Sequence, residues 1–106
     1  MQSIDLNMMP EKEIVKGFRV RFVHSQNMTI GYWNIEKGAA LPEHSHLHEQ
    51  IANCIEGEFE LIVDGEPIHM KAGSVVVIPS DVPHGGRAIT DAKLVDVFYP
   101  VREDYK

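Results

Sequence analysis

The amino-acid sequence predicts an all-β single domain, a sandwich or barrel of short strands, on three observations. Short apolar segments recur at close intervals, glycine-centred breaks separate them, and no window carries the stripe of an amphipathic helix. At 106 residues the chain has room for one core and one site. Its 43% hydrophobic and 25% charged residues lie near the globular average, which argues against disordered, collagen-like and membrane classes.

Residues 1–13, with the run Met8-Met9-Pro10 and mixed charges, read as an N-terminal arm, extended or poorly ordered, ahead of a barrel over residues 14–106. The expected strands follow at Phe18 to Val23, Met28 to Ile35, Gln50 to Ile55, Phe59 to Val63, Val75 to Ile78 and Leu94 to Tyr99. Breaks containing Gly38, Gly57, Gly65 and Gly73 punctuate them, and Asp64-Gly65 is the clearest hairpin turn. Phe59, Leu61 and Val63 alternate with Glu58, Glu60 and Ile62, so one face of that strand should look inward.

The net charge of -6, with no cluster of Lys or Arg, argues against a nucleic-acid partner, because a phosphate backbone calls for concentrated positive charge. The first residues lack the basic start and apolar run of a signal peptide, and no stretch reaches membrane-spanning length, so a cytoplasmic protein with no membrane partner is expected. Cys54 is the only cysteine, which leaves no disulfide and no CxxC framework; its neighbours Ile51, Ala52 and Ile55 suit a buried thiol.

Histidines carry the chemistry. His44 and His46, two apart, project to one side of an extended segment as a chelating pair must. Gln50 would lie about 13 Å from His46 in a straight strand, so the chain must turn near Leu47 and His48 if Gln50 is to face back. His84, just after Pro83, would complete the set from a distant segment. His48 is either an alternative ligand or a wall of the pocket that orients a bound molecule, and His24 is a candidate for the cavity lining.

The spacing Gly38, five residues, His44-x-His46, three residues, Gln50, six residues, Gly57 resembles the first cupin motif, with Gln where Glu is usual. Gly73, five residues, Pro79, four residues, His84 resembles the second, with Asp81 where Gly is common and Ala88 where Asn is common. The resemblance implies a cupin double-stranded β-helix, a jelly-roll barrel, holding one divalent metal at His44, His46, Gln50 and His84. Imidazole-rich sites accept Zn, Ni, Fe, Mn or Cu. Three imidazoles and a neutral amide leave the ion's double charge uncompensated, which favours a carboxylate or sugar-acid substrate.

Asp96 sits within the apolar strand LVDVFY on the same face as Phe98. If that face looks inward, Asp96 is a desolvated carboxyl suited to proton transfer; if outward, an ordinary solvated residue. Arg102, beyond Pro100, is either a clamp for a carboxylate at the barrel mouth or a surface partner of Glu103 or Asp104. The segments HSHLHEQ, IPSDVPHG and DVFYPVRED make the chain similar to the small pectin-degradation cupins of the KdgF type over about residues 10–106. That likeness implies linearisation of unsaturated uronates, with Asp96 and Arg102 active and Phe98 lining the pocket. A metal-dependent oxygenase or isomerase of another small acid, and a non-catalytic sugar-acid-binding cupin, are the competing readings. Edge strands that need covering suggest a homodimer, with the N-terminal arm available to a neighbour's sheet.

Overall fold

The computed structural model describes residues 1–106, folded as ten strands in two antiparallel sheets. In chain order these are β1 (Lys12–Val15), β2 (Phe18–His24), β3 (Thr29–Ile35), β4 (Ala40–His44), β5 (Glu49–Glu56), β6 (Phe59–Val63), β7 (Glu66–Met70), β8 (Val75–Ile78), β9 (His84–Ala88) and β10 (Ala92–Tyr99). One sheet has the order β1-β2-β3-β10-β5-β8, the other β4-β9-β6-β7. Single turns of 3-10 helix lie at Leu6–Met8 and Glu103–Tyr105. No helix is long and apolar enough to cross a membrane.

Strict alternation builds the core between the sheets. Phe18, Val20 and Phe22 on β2, Trp33 and Ile35 on β3, and Ala92, Leu94, Asp96 and Phe98 on β10 are buried, while their neighbours in sequence are not. Phe59 and Leu61 of β6 face them from the second sheet, as the alternation of that segment requires. Val20, Met70 and Ile78 expose nothing, and each such side chain contributes roughly 1.5–3 kcal/mol by leaving water. The rings of Phe18 and Phe22 meet Trp33 edge-on at 6.0 and 5.9 Å and close one end of the interior.

Six strands match the expected segments within two residues; β1, β4, β7 and β9 are additional. β4 and β7 contain Pro42 and Pro67, which sequence patterns read as breaks, but both strands are edges of the smaller sheet, where a missing N–H costs less. At the Asp64-Gly65 turn both residues take positive φ, +50° and +79°, as a tight hairpin between β6 and β7 demands.

The N-terminal segment lies on its own chain. β1 pairs antiparallel with β2 and forms one edge of the larger sheet. Ahead of it, the Arg21 side chain donates to the Met9 carbonyl at 2.7 Å and the Asn34 amide donates to Glu11 at 2.6 Å, which ties residues 9–11 across the outer side of β2 and β3.

Candidate metal centre and reactive cavity

The two sheets bring their functional side chains together at one end of the interior. His44 at the end of β4 pairs directly with His84 at the start of β9, both in the smaller sheet. Gln50 on β5 pairs with Phe98 on β10, both in the larger one. His46 stands between them on the β4–β5 connection, which bends at Leu47 and His48 and so returns Gln50 toward His46. The β8–β9 turn is fastened to this connection by the Asp81 N–H, which donates to the His46 carbonyl at 2.8 Å. Asp81 itself adopts φ +64°, a conformation natural to the Gly that the second cupin motif carries there.

One nitrogen from each of His44, His46 and His84 lies within 4.8 Å of the others. Each ring also has Nδ1 against a main-chain carbonyl: His44 to Pro42 at 2.9 Å, His46 to His48 at 3.0 Å and His84 to Val82 at 3.0 Å. Since a carbonyl only accepts, Nδ1 carries the proton in all three, and the lone pairs fall on Nε2. Gln50 Oε1 lies 3.2 Å from His46 Nε2, which sets two acceptors face to face. A cation between them removes the repulsion, and two ligands about 2.1 Å from one ion would stand roughly 3.0–3.4 Å apart. The donor set therefore fits a divalent metal ion.

Charge states agree with that fit. Burial first, then Arg102 and His84, lowers His46 to a pKa of about 4, and burial likewise lowers His84. Both imidazoles are neutral near pH 7, so no proton has to leave before a metal arrives.

Asp96 is turned inward. It occupies the same cavity wall as the histidines and Arg102, a space of about 240 Å³. Burial raises its pKa to about 7, against the opposing influence of the Gln50 amide, the Trp33 indole and Arg102. None of the three closes a hydrogen bond on Oδ1, which has no partner, and Trp33 Nε1 is equally unpartnered. A buried carboxyl oxygen without a partner is costly unless it is used. Trp33 was not singled out by sequence reasoning; its only signal is its inward position on β3, two residues from Gly31, which pairs with Asp96.

Arg102 combines both sequence readings. It is only 6% exposed and lines the cavity, yet its Nε and Nη2 donate to the two Asp104 oxygens at 3.0 and 2.8 Å. Its guanidinium lies 4.8 Å from the Phe98 ring centre and 4.2 Å from that of Tyr105, and its backbone N–H donates to Thr29 Oγ1 at 2.9 Å. Nη1 is left free of protein partners.

Phe98 lines the cavity, whereas the structure does not bring His24 and His48 to its wall. His24 sits at the far end of β2, where its Nδ1 is 2.8 Å from Thr29 Oγ1 and its ring stacks on Phe22. His48 lies at the bend behind His46, ring centres 5.5 Å apart, with its Nδ1 buried and unpartnered.

A family model described as "Cupin domain" matches residues 31–98. The chain is 28% identical over 99 residues to the pectin degradation protein KdgF of Dickeya dadantii, covering 91% of this chain and 90% of the relative. It is 30% identical over 100 residues to the H2HPP isomerase of Bacillus subtilis, covering 92% of this chain but only 42% of that longer protein. Among solved structures it superposes on KdgF from a Halomonas species with TM-score 0.89 and 25% identity, covering 94% of both chains. An RmlC-like cupin from Shewanella frigidimarina gives TM-score 0.89 and 30% identity, covering 94% of this chain and 91% of the other.

Proposed function

The chain belongs to the cupin domain family, and on that premise we propose that it is a metal-dependent enzyme converting 4,5-unsaturated uronate monosaccharides to the linear 5-keto-4-deoxyuronate. The observation that carries this reading is Asp96: a buried carboxyl with one unpartnered oxygen, sharing one small cavity with three convergent imidazoles and a cationic guanidinium. The likeness to two KdgF proteins supplies the substrate class. The cavity, about 240 Å³, lies just below the ~300 Å³ at which drug-sized ligand sites begin, which suits a monosaccharide.

A divalent ion held by His44, His46, Gln50 and His84 would supply Lewis acidity toward the carboxylate and ring oxygen of the sugar acid. The protein's own residues do the rest. Arg102 offers Nη1 to the substrate carboxylate, while Asp104 and the two flanking rings fix the guanidinium plane. Asp96 gives its proton to C4 of the enol ether as water adds at C5, and the water's proton returns to the Asp96 carboxylate. The bond from C5 to the ring oxygen then breaks, leaving a ketone at C5 and a hydrate at C1 that loses water as the aldehyde. One water enters and one leaves, so the net change is an isomerisation.

The test is ultraviolet absorbance. Metal-loaded protein with an unsaturated galacturonate monomer should bleach the conjugated chromophore faster than buffer, and Asp96→Asn should fall at least about 100-fold while still binding metal. Wild-type protein that only matches buffer defeats the proposal. A cupin isomerase or oxygenase of another small carboxylic acid is the second reading, favoured by the identity to the H2HPP isomerase. Oxygen uptake by an iron-loaded sample would single out its oxygenase form.

A further inference from the structure

β3 carries its one glycine at the position that faces the Asp96 carboxyl. Gly31 points inward, in register with Asp96 on β10 and Phe22 on β2. A Cβ at Gly31 would stand 3.0 Å from Trp33 Nε1 and 3.1 Å from Phe22 Cε1, where ordinary contact begins at 3.4 Å. The missing side chain is thus the space into which the indole folds back along its own strand. Inward Cβ positions in register on paired strands lie ~4.5–5.5 Å apart, so a nitrogen seated beside the Gly31 position is within reach of the Asp96 carboxyl. Edge-on contacts with Phe18 and Phe22, at 6.0 and 5.9 Å, keep the indole from swinging away. Nε1 can only donate and Oδ1 can accept; both are buried, and no hydrogen bond closes on either. A buried indole N–H ordinarily finds a partner, and catalytic hydrogen bonds are often open before the reaction and tighten during it.

We infer that Trp33 is a positioning residue for the reaction: its indole N–H faces Asp96 Oδ1, keeps the acid's proton on Oδ2, and binds more strongly as that proton leaves. This rests on the reading of Asp96 as the proton donor. Of the two Asp96 oxygens only Oδ1 is both sealed and unpartnered, which leaves Oδ2 to meet the cavity. An N–H cannot accept a proton, so the oxygen beside it must keep its lone pairs and the acid's O–H sits on the other. When Oδ2 gives its proton to C4 of the substrate, the charge left behind is shared with Oδ1, and the indole closes a charge-assisted bond that the neutral acid cannot match. The proton of the adding water then returns to Oδ2 and the bond relaxes, so Trp33 ends the cycle as it began. The indole is also among the groups that favour the charged form of Asp96 against its burial. A contact that strengthens only as the proton moves acts on kcat and leaves KM alone.

Trp33 is the only tryptophan, so the zinc-loaded, isotope-labelled chain gives a single indole signal in a nitrogen–proton correlation spectrum. Asp96→Ala removes the acceptor and should move that proton upfield. In the uronate assay Trp33→Phe, which keeps an aromatic ring but loses the N–H, should lower kcat about 10–100-fold with KM within about two-fold, the scale of a hydrogen bond to a charged group. Gly31→Ala alters neither partner chemically but pushes Nε1 from its seat, and should show the same split. Urea unfolding and zinc affinity establish that each variant keeps its fold and its metal site; should one not fold, the other reads the same contact. The inference is overturned by an indole signal that ignores Asp96→Ala, by a Trp33→Phe protein with wild-type kcat, or by a loss confined to KM. The indole signal needs no turnover, so failure of this contact is told apart from failure of the uronate reaction.

Discussion

Gly85 is the position where a single methyl group should disconnect the metal centre from the fold. It lies next to His84 on β9, opposite the irregular stretch of β4 between Leu41 and His44. A Cβ there would stand 2.8 Å from the Leu41 carbonyl oxygen and 3.1 Å from both the Glu43 nitrogen and the Pro42 carbonyl carbon, where ordinary contact begins at 3.4 Å. Because all three neighbours are backbone, β4 must withdraw by about 0.6 Å. His44 ends that strand and pairs with His84, so the shift passes into the distance between two of the three imidazoles. Metal–ligand distances are held to within about 0.2 Å, and disturbing what orients a ligand typically costs 10–100-fold in affinity. Gly85→Ala is therefore expected to bind zinc about 10–100-fold more weakly, or ~1.4–2.7 kcal/mol, in competition with a chromophoric chelator. Overpacking should also cost the metal-free protein about 1–3 kcal/mol in urea unfolding. A variant that loses stability yet binds zinc as tightly as wild type would refute the idea that the β4–β9 separation sets the imidazole spacing.

Three further outcomes follow from the same structure. Met70→Ala, at a side chain with no exposure, should lower unfolding free energy by roughly 2–5 kcal/mol in urea titration; a loss under 1 kcal/mol would mean that the core collapses around the gap. The Asp104 carboxyl is held below the usual carboxylate range, chiefly by its hydrogen bonds to Arg102. A depressed folded-state pKa gives stability that is fully present above the ordinary value near 3.9 and is lost as pH falls through the folded value. With its side chain 56% exposed, Asp104 should contribute at most about 1 kcal/mol, so Asp104→Asn should be modestly less stable at pH 7 and equal to wild type in strong acid. An unchanged difference at both pH values would count against the pairing. Burial raises the Cys54 thiol pKa, and the residue is only 2% exposed. A chromogenic disulfide reagent at pH 8 should react with it only after unfolding, whereas prompt labelling of the native protein would show that the strand opens.

The sequence announced a strand wherever alternation met β-branched or aromatic residues, as in β2, β3, β5, β6, β8 and β10. It hid β9, whose stretch His84-Gly85-Gly86 reads as a turn. The glycines are there because neighbouring backbone crowds in from both sides: a Cβ on Gly86 would run into the Glu60 carbonyl, as one on Gly85 would meet Leu41. A one-dimensional pattern cannot display pressure from strands more than twenty residues away. In the site, the His44, His46 and Gln50 spacing made a bend at Leu47 and His48 a geometric necessity, and the bend is there. His24 reaches the same end of the larger sheet as Phe98 and Gln50 but stands on β2, two strands to the side of β10. Neither that lateral offset nor the direction His48 takes at the bend can be read from a histidine's sequence position. Asp104 is legible only as a surface partner of Arg102, and Tyr105 not at all. Their importance arises only once Arg102 turns inward and takes one as its counter-ion and the other as a stacking surface.

The carbonyls of Pro42, His48 and Val82 that hold the three imidazoles have a consequence for how freely this protein can change. Main-chain acceptors survive any substitution that leaves the local path of the chain intact, so the reactive core is not erased by drift in the side chains around it. Leu41 and Leu61, which line the cavity without touching that arrangement, can then be exchanged to reshape it without re-solving the problem of imidazole orientation. For a designer, the chain offers a fixed reaction centre inside an interchangeable enclosure, and its specificity is the easier of the two to rewrite.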